Sequence, residues 1–286
     1  GSSYTLPFRK DWYMLYFNKD LFDKAGVPYP SADMTWDEYE ELAKKMTSGE
    51  GSAKVYGTHN HTWQALVSNW AVQDGKNTLM SEDYSFLKPY YEQALRMQDE
   101  GVVQSYANLK TGSIHYISVF EQQQCAMIPM GSWFIGTLTQ DKDAGKFDFN
   151  WGVTAIPHPA DTKAGATVGS TTPVAINAKS DVPDLAWEYV KFVTGEEGAQ
   201  VLADNGIFPA AESQAISDKL AAIPGFPEDG QDALKTSWVL DRPLDAKMAA
   251  VRKVLEEEHD LIMIGEEDVD TGIANMNQRA QEARED

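Results

Sequence analysis

The chain has 286 residues, 42% of them hydrophobic and 24% charged, a globular composition that allows one large or two ordinary domains. Its formal net charge of −20 argues against nucleic acid or an anionic membrane surface as a partner and favours a monomer. The single cysteine, Cys125, excludes an internal disulfide and a thiolate metal cluster. No apolar stretch approaches the roughly 20 residues that a membrane-spanning helix needs.

The first half of the chain alternates short strands with longer helices. Trp12–Phe17 is rich in aromatic residues and predicts a strand, and the helix after it ends at Gly26, a typical C-terminal residue. Thr35 and Glu38 form a capping-box pattern at the start of a helix over 36–47. Further elements are predicted as a strand at 55–57 and helices at 62–74 and 84–100.

The second half continues this alternation. An apolar strand over Cys125–Met130 ends at Gly131 and Ser132, so Trp133 follows its carboxyl end. The small polar residues at 165–172 predict a loop between two strands. The remaining predicted elements are strands at 151–156 and 173–177 and helices at 183–194, 196–205, 213–221, 231–238, 244–258 and 268–284. Short strands between longer helices predict a helix-rich α/β fold.

Trp133 is the first candidate for ligand contact. Open α/β sheets bind ligands at the carboxyl ends of their strands, and an indole placed there after a glycine suits stacking on a flat ligand. A pyranose ring has such an apolar face, while its hydroxyl groups require polar side chains nearby. The alternative is that Trp133 only covers the core, since Trp is highly buried on average.

Other aromatic and polar side chains cluster near predicted strand ends and turns. The candidate ligand-binding residues are Arg9, Asp11, Trp12, Trp63, Ser132, Trp133, Gly169, Ser170, Thr171, Asp241 and Arg242. Each cluster alone is equally compatible with ordinary surface or core. Their shared placement favours a carbohydrate site, and the number of candidate stacking rings, Trp12, Trp63 and Trp133, favours an oligosaccharide over a monosaccharide.

Metal and cofactor chemistry find little support in the sequence. His59 and His61 lie two residues apart without a third ligand at metal-binding spacing, so we expect exposed loop histidines and no metal site. No glycine-rich phosphate-binding motif follows a predicted strand, and no cofactor is predicted.

Two other functional classes stay open from the residues alone. A glycoside hydrolase needs only two carboxylates about 5–10 Å apart, and Asp11 and Asp241 are the pair we would test. A structural or adhesion module needs no small ligand and makes Trp133 a packing residue. Composition and motifs do not decide between these classes and a binding protein.

Three groups of residues resemble signatures of the carbohydrate-type extracellular solute-binding proteins, the receptors of ABC sugar importers that include maltose-binding protein. The matching segments are Leu6-Pro7 with Leu15–Gly26, Pro30 and Thr35–Glu38; then Ala126–Trp133; then Gly169–Thr171 with Ile176, Ala186–Phe192 and Gln200. The resemblance spans essentially the whole chain, which is therefore identified as a member of this family.

The resemblance implies a two-lobed periplasmic-binding-protein-like fold of type II that closes on a sugar without catalysis. It also implies delivery to the transmembrane subunits of an ABC importer and an extracytoplasmic location, on a lipid anchor or free in the periplasm. The Trp at the Trp133 position commonly stacks on a sugar in this family. Residues matching Arg9 to Trp12, Trp63 and Gly169 to Thr171 line the cleft, and the region around Asp241 matches less cleanly.

The resemblance further implies how the chain divides between lobes. Family members carry an additional stretch before Leu6-Pro7, on the order of one small domain, that builds most of the first lobe. We therefore expect the first lobe to be incomplete here. The expected parts are an inter-lobe crossover at 1–8, the C-terminal lobe at 9–162, a return to the N-terminal lobe at 163–218, and closing helices of the C-terminal lobe at 219–286.

Overall fold

The computed structural model describes residues 3–223 and 225–285, in which strands alternate with helices. The strands are β1 (Leu6–Asn18), β2 (Tyr56–Thr58), β3 (Cys125–Gly131), β4 (Trp151–Ala155), β5 (Ala166–Val174) and β6 (Ser237–Leu240). The α-helices are α1 (Lys19–Ala25), α2 (Trp36–Met46), α3 (Ala65–Val72), α4 (Lys88–Asp99), α5 (Tyr106–Thr111), α6 (Tyr116–Glu121), α7 (Trp133–Asp143), α8 (Pro183–Thr194), α9 (Glu196–Asp204), α10 (Gln214–Ala221), α11 (Met248–Ile264) and α12 (Val269–Glu285). The predicted helix-rich α/β class is confirmed.

β1 is the centre of a mixed six-stranded sheet. Its second half, residues 13–18, pairs antiparallel with β3 and with β4. Its first half, residues 6–12, pairs antiparallel with β5, which β6 joins in parallel. β2 pairs in parallel with β3. One strand of 13 residues therefore joins two parts of the sheet, and its partners change between Trp12 and Tyr13.

Alternation along β1 fills a separate core on each face of the sheet. Met14 and Tyr16 pack with residues of α6 and α7 on one face, whereas Leu15 and Phe17 pack with α1 and α2 on the other. All four side chains are buried. Burial on both faces explains why the run is continuously apolar rather than alternating with polar residues.

Local signals set the limits of the first two helices. The Asn18 side chain accepts from the Leu21 amide at 3.0 Å and caps α1, which ends at Gly26 in the left-handed region with φ of 66°. Thr35 and Glu38 form the predicted capping box of α2.

β5 replaces the loop predicted at 165–172. These small residues form an extended strand that pairs with β1 on one edge and β6 on the other. Gly169 is required by packing and not by a turn, because a Cβ at this position would lie 2.7 Å from Cδ2 of Trp238. Small side chains in this segment therefore indicate close approach across the sheet.

The helix predicted at 231–238 is also wrong. The chain forms a 3₁₀ segment over Glu228–Leu234 and then β6, because Trp238 and Val239 extend the sheet beside β5. Helices α5 and α7 were not predicted, and of α6 only the polar end at Phe120, directly before β3, was expected. α7 begins at Trp133, so this residue opens a helix directly after a strand rather than lying in a loop.

A third core lies among the helices α3, α4, α11 and α12. α11 and α12 pack extensively against each other. Within residues 3–223 and 225–285, no helix combines the length and the apolar character needed to cross a membrane.

α8 carries apolar side chains on two sides. Val190 and Val193 are buried, and the helix packs against β1. Leu185, Tyr189 and Phe192 are 67%, 62% and 46% exposed, and their spacing of four and three residues places them on one side of the helix. Asp184, Glu188 and Lys191 occupy a narrow polar side, so the apolar part of α8 is wider than the side packed against β1.

Candidate functional site

The junction between β3 and α7 positions Trp133. β3 ends at Gly131, and the Ser132 amide donates to the Trp12 carbonyl at 2.8 Å, which holds the start of α7 against β1. The Trp133 indole is partly buried, and its Nε1 donates to the Tyr116 hydroxyl at 3.2 Å. The ring also borders a cavity, so it is anchored at one edge and accessible elsewhere.

Four rings, Tyr13, Trp63, Tyr116 and Trp133, form what we call the aromatic cluster. The Trp63 ring centre lies 5.7 Å from that of Tyr116 and 6.3 Å from that of Trp133. Tyr13 meets Trp133 edge to face at 5.7 Å. Trp63 is 38% exposed, so the cluster offers an apolar surface beside polar ring edges.

Asp11 links Arg9 to Ser132 on the same side of the sheet junction. Ser132 Oγ donates to Asp11 Oδ1 at 3.0 Å, and Arg9 Nε lies 3.2 Å from Asp11 Oδ2. Arg9 Nε also donates to Thr172 Oγ1 at 3.1 Å. Burial raises the pKa of Asp11, while Arg9 and Ser132 lower it. The buried carboxylate therefore positions its neighbours.

Trp12 is a core residue, which corrects the expectation of a ligand-stacking ring. Its indole is 6% exposed and donates to the Ala233 carbonyl at 3.1 Å. It packs edge-on against Phe208, with the ring centres 4.6 Å apart. The even positions of β1 face this core, so Trp12 follows Met14 and Tyr16 inward.

Gly169, Ser170 and Thr171 lie within β5 and do not form the expected glycine-rich turn. Ser170 is opposite Asp11 in the register of β1 and β5. Gly169 is buried, Ser170 is half-buried and Thr171 is exposed. The segment therefore borders the Arg9 and Asp11 network along the strand.

Asp241 and Arg242 follow β6 and border a cavity of about 460 Å³, which we call the Asp241 cavity. The Asp241 amide donates to the Gly169 carbonyl at 2.9 Å, and its Oδ2 lies 3.0 Å from Arg242 Nε. Burial raises the pKa of Asp241, and Arg242 lowers it. The remaining walls include Tyr13, Trp63, the start of α3 and part of α11.

A second cavity of about 480 Å³, the Trp133 cavity, lies beside α7. It is lined by Arg9, Trp63, Trp133, Gly136, Thr137, Gln140, Asn205 and Ile207. Trp63 borders both cavities. Their volumes are typical of small-molecule sites, so the candidate site is a pair of cavities with Trp63 as their shared wall.

His59 and His61 are buried, which corrects the expectation of exposed loop histidines. They are 1% and 8% exposed, and the His61 ring centre lies 4.7 Å from that of Trp63. Burial lowers the pKa of His59 to about 3 and that of His61 to about 4, so both rings are neutral at neutral pH. In the described part of the chain, no group of three or more His, Cys, Asp or Glu is arranged to hold a metal ion.

Asn69 in α3 was missed from the sequence, whereas Gln64 belongs to the polar segment 59–64 around Trp63 but was not chosen as a site residue. Gln64 and Asn69 are buried and border the Asp241 cavity. A signal was available, because both carboxamides interrupt a segment that is otherwise mostly apolar, and a buried amide needs a hydrogen-bond partner. Tyr116 was missed because α6 is a single short helix without a clear period.

Comparisons with known proteins connect this geometry to a family. A family model described as bacterial extracellular solute-binding protein matches residues 1–200. A binding protein of Brucella abortus is 25% identical over 76% of this chain and 53% of its own length. The sn-glycerol-3-phosphate-binding periplasmic protein UgpB of Brucella melitensis is 24% identical over 99% of this chain and 68% of its own length. The chain therefore spans about half the length of the first of these relatives.

Solved structures are similar over nearly the whole chain. A sugar transporter of Rhizobium etli in an open conformation is 42% identical, with a TM-score of 0.86 over 97% of this chain and 72% of that one. An ABC substrate-binding protein of Listeria monocytogenes in complex with cycloalternan is 23% identical, with a TM-score of 0.81 over 99% of this chain and 72% of that one.

Proposed function

The chain belongs to the bacterial extracellular solute-binding protein family, and on this premise we propose that it binds a carbohydrate at the cavities beside Trp63 and Trp133. The fold matches the two-lobed periplasmic binding proteins, as the motifs predicted. The aromatic cluster carries the proposal, because it places apolar ring faces next to Arg9, Asp241 and other polar groups. A pyranose requires both kinds of surface at once.

The proposed ligand is an oligosaccharide. Two cavities of about 460 and 480 Å³ share the Trp63 wall, which favours a ligand of more than one unit. The similar Rhizobium protein is described as a sugar transporter, and the Listeria protein was solved with cycloalternan. Of the three Trp residues that favoured this ligand from sequence, Trp63 and Trp133 support it and Trp12 does not.

Binding without turnover fits the state of the two candidate carboxylates. Asp11 is 3% exposed and engaged by Arg9 and Ser132, so it is poorly placed to reach a glycosidic oxygen. Asp241 borders the cavity but is paired with Arg242. The glycoside hydrolase alternative requires that both act on one bond, and it predicts hydrolysis products that the binding proposal does not.

The proposed biological role is delivery of the sugar to the transmembrane subunits of an ABC importer outside the cytoplasm. The family description and the periplasmic relative UgpB support this location. Ligand contacts made only in a closed state would shift the equilibrium between open and closed forms toward the closed form. The importer would then bind the closed form. β1 is a suitable hinge element, because it pairs with different strands in its two halves.

The open side of α8 supports the expected lobe boundaries. We propose that residues 163–218, which include α8, return to a first lobe that covers Leu185, Tyr189 and Phe192. The crossover at 1–8 and the C-terminal lobe at 9–162 and 219–286 complete this arrangement; residues 1, 2, 224 and 286 of these ranges lie outside the described part of the chain. The Rhizobium relative is longer than this chain, which covers 72% of it, so its length accommodates such a covering segment.

Isothermal titration calorimetry with a panel of neutral mono- and oligosaccharides tests the proposed function. We expect saturable binding of at least one oligosaccharide and recovery of the intact sugar by chromatography. Hydrolysis products that disappear in Asp11→Asn and Asp241→Asn would support the enzyme instead. Binding is measured on the 286-residue chain and on a form extended by the first-lobe stretch of the relatives.

A further inference from the structure

Two acidic side chains, Glu121 and Asp141, meet between α6 and α7 and form what we call the carboxyl pair. Glu121 is the last residue of α6, and Asp141 lies near the end of α7. The two carboxyl groups are within hydrogen-bond reach of each other. Oε1 of Glu121 is nevertheless buried without a hydrogen-bond partner among residues 3–223 and 225–285. Ionised carboxylates only accept hydrogen bonds, so this contact lacks a donor.

A proton on Glu121 supplies the missing donor. Asp141 is the partner that stays ionised, because its Oδ1 lies 2.6 Å from Nζ of Lys146 and its side chain is only 15% exposed. Burial and the bond to Asp141 raise the pKa of Glu121 from 4.5 to about 7, whereas Lys146 lowers the pKa of Asp141. Glu121 therefore changes its charge near neutral pH, which an ordinary glutamate does not.

Few other charges act on the carboxyl pair. Of the charged groups in the described part of the chain, Asp141 and Lys146 are the two that face Glu121. Lys142 follows Asp141 directly but is engaged elsewhere, since its Nζ donates to the Phe149 carbonyl at 2.9 Å. When Glu121 loses its proton, two negative charges therefore face one lysine that is 57% exposed and screened by solvent.

The same two helices carry half of the aromatic cluster. Tyr116 opens α6 and Trp133 opens α7, and the Trp133 indole donates to the Tyr116 hydroxyl. Between these ends, the Phe134 ring centre lies 5.2 Å from that of Tyr116 and 5.7 Å from that of Phe120. α6 is a single six-residue helix that packs by buried rings. A displacement of its last residue, Glu121, is therefore transmitted to Tyr116.

We propose that the carboxyl pair is a pH-sensitive contact that sets the spacing of α6 and α7 and thereby the shape of the aromatic cluster. With the shared proton in place, the two helices are held together at both ends. Without it, Glu121 and Asp141 repel each other and the end of α6 moves away from α7. The contact itself needs no ligand, whereas its effect on ligand affinity rests on the proposed carbohydrate function.

The direction of the effect follows from the raised pKa of Glu121. The folded chain keeps this proton at pH values where the unfolded chain has lost it. The stability that the carboxyl pair contributes is therefore complete below pH 4.5 and is lost as the pH rises through about 7. His59 and His61, whose pKa values are lowered, act in the opposite direction, so the contribution of Glu121 is measured by comparing variants at each pH.

NMR of the ligand-free 286-residue chain tests the contact. Protein labelled with ¹³C at the Glu carboxyls and ¹⁵N at the Trp indoles is titrated with acid and base, and Glu121→Gln and Trp133→Phe assign the two signals. We expect the Glu121 carboxyl to titrate with a midpoint of about 7 and the Trp133 indole signal to shift with the same midpoint. A Glu121 midpoint near its ordinary 4.5 would overturn the shared proton.

Glu121→Gln also removes the switch, because its amide donates to Asp141 at every pH. We expect the Trp133 signal of this variant to lose the shift centred at about 7. Asp143→Asn is the matched control, since Asp143 is an exposed carboxylate at the end of the same helix, and it should respond like the parent. An equal shift in Glu121→Gln and the parent would overturn the link between the carboxyl pair and the aromatic cluster.

Sugar titrations of the same variants test the consequence for binding. The affinity of the parent for a responsive oligosaccharide should fall about fivefold more than that of Glu121→Gln between pH 5.5 and pH 8.5. Equal pH dependence of the two proteins would overturn the effect on affinity. Absence of saccharide binding at every pH would overturn the proposed function, while the ligand-free NMR titration still decides the carboxyl pair.

Discussion

The Trp133 indole occupies the space that a side chain on Gly131 would fill: a Cβ at position 131 would lie 2.0 Å from Cζ3 of the ring. Gly131 is therefore required by the position of the indole. We expect Gly131→Ala to displace Trp133, to cost about 1–3 kcal/mol of stability and to lower carbohydrate affinity by about tenfold or more. Calorimetric titration and urea unfolding measure both effects.

Gly145→Ala is the matched control for this substitution. Gly145 has φ of 72° and no atom within 4 Å of an added Cβ, so only backbone strain of about 1–2 kcal/mol is expected. Its sugar affinity should equal that of the parent. Equal affinities for Gly131→Ala and the parent would contradict the role given to the indole.

Asp11 positions Arg9 and Ser132, and its substitutions should differ by what they leave unpaired. Asp11→Ala removes the acceptor of the Ser132 hydroxyl and the partner of Arg9, so we expect a loss of about 2 kcal/mol in the free energy of unfolding. Asp11→Asn keeps an oxygen that accepts from Ser132 and removes a charge that burial disfavours, so its loss should be smaller. Equal losses would contradict this account.

The buried histidines predict that stability falls in weak acid. His59 and His61 have ordinary pKa values of 6.5 that burial lowers to about 3 and about 4 in the folded chain. Below pH 6.5 these histidines therefore become protonated in the unfolded chain but stay neutral in the folded chain. The free energy of unfolding consequently declines as the pH falls toward 4. The raised pKa values of Asp11 and Asp241 act in the opposite direction, because the folded chain then binds the extra protons.

Urea midpoints between pH 7.5 and pH 4.5 measure this dependence. His61→Phe keeps an aromatic ring beside Trp63 and removes one titrating group, so the decline with falling pH should become shallower. Glu40 does not affect the midpoints between pH 7.5 and pH 4.5. Arg96 lowers the pKa of Glu40 from 4.5 to about 2, so the stability that this ion pair contributes is lost only as the pH falls from 4.5 toward 2. An unchanged slope in His61→Phe would show that His61 does not titrate as described.

The open side of α8 predicts an unusual tolerance to polar substitution. In the 286-residue chain, Leu185→Ser combined with Tyr189→Ser should change stability by less than about 1 kcal/mol and reduce the binding of a hydrophobic dye. Val190→Ser, on the buried side of the same helix, should cost about 2 kcal/mol or more. Similar losses for the two variants would mean that the open side is already covered.

Sequence patterns predicted the fold best where local chemistry decides the structure. The capping box at Thr35 and Glu38 and the glycine stop at Gly26 are complete within a few residues, so α1 and α2 were predicted nearly to their ends. β5 and β6 were not, because their extended form depends on pairing with β1 and with each other. Gly169 suggested a turn, but the structure requires a residue without a side chain there because the Trp238 ring lies close to it across the sheet.

The candidate site shows the same limit. Trp133 follows the end of a strand that is recognisable from the sequence, so it could be chosen as a candidate from its position alone. Trp12 has the same residue type, but the alternation of a strand buried on both faces turns it into the core. Asn69 borders the Asp241 cavity together with residues of α11, which lie far along the chain, so no local pattern reports this position.

The central claim is that the protein binds a carbohydrate at Trp133, and tryptophan fluorescence titration tests it most directly. The parent and Trp133→Ala are compared, each as the 286-residue chain and as a form extended by the first-lobe stretch of the relatives. The account predicts a saturable change with a neutral oligosaccharide in the parent, intact sugar by chromatography, and loss of the change in a Trp133→Ala variant that still unfolds cooperatively in urea. No response to any saccharide in either form, or equal responses of parent and Trp133→Ala, would contradict it.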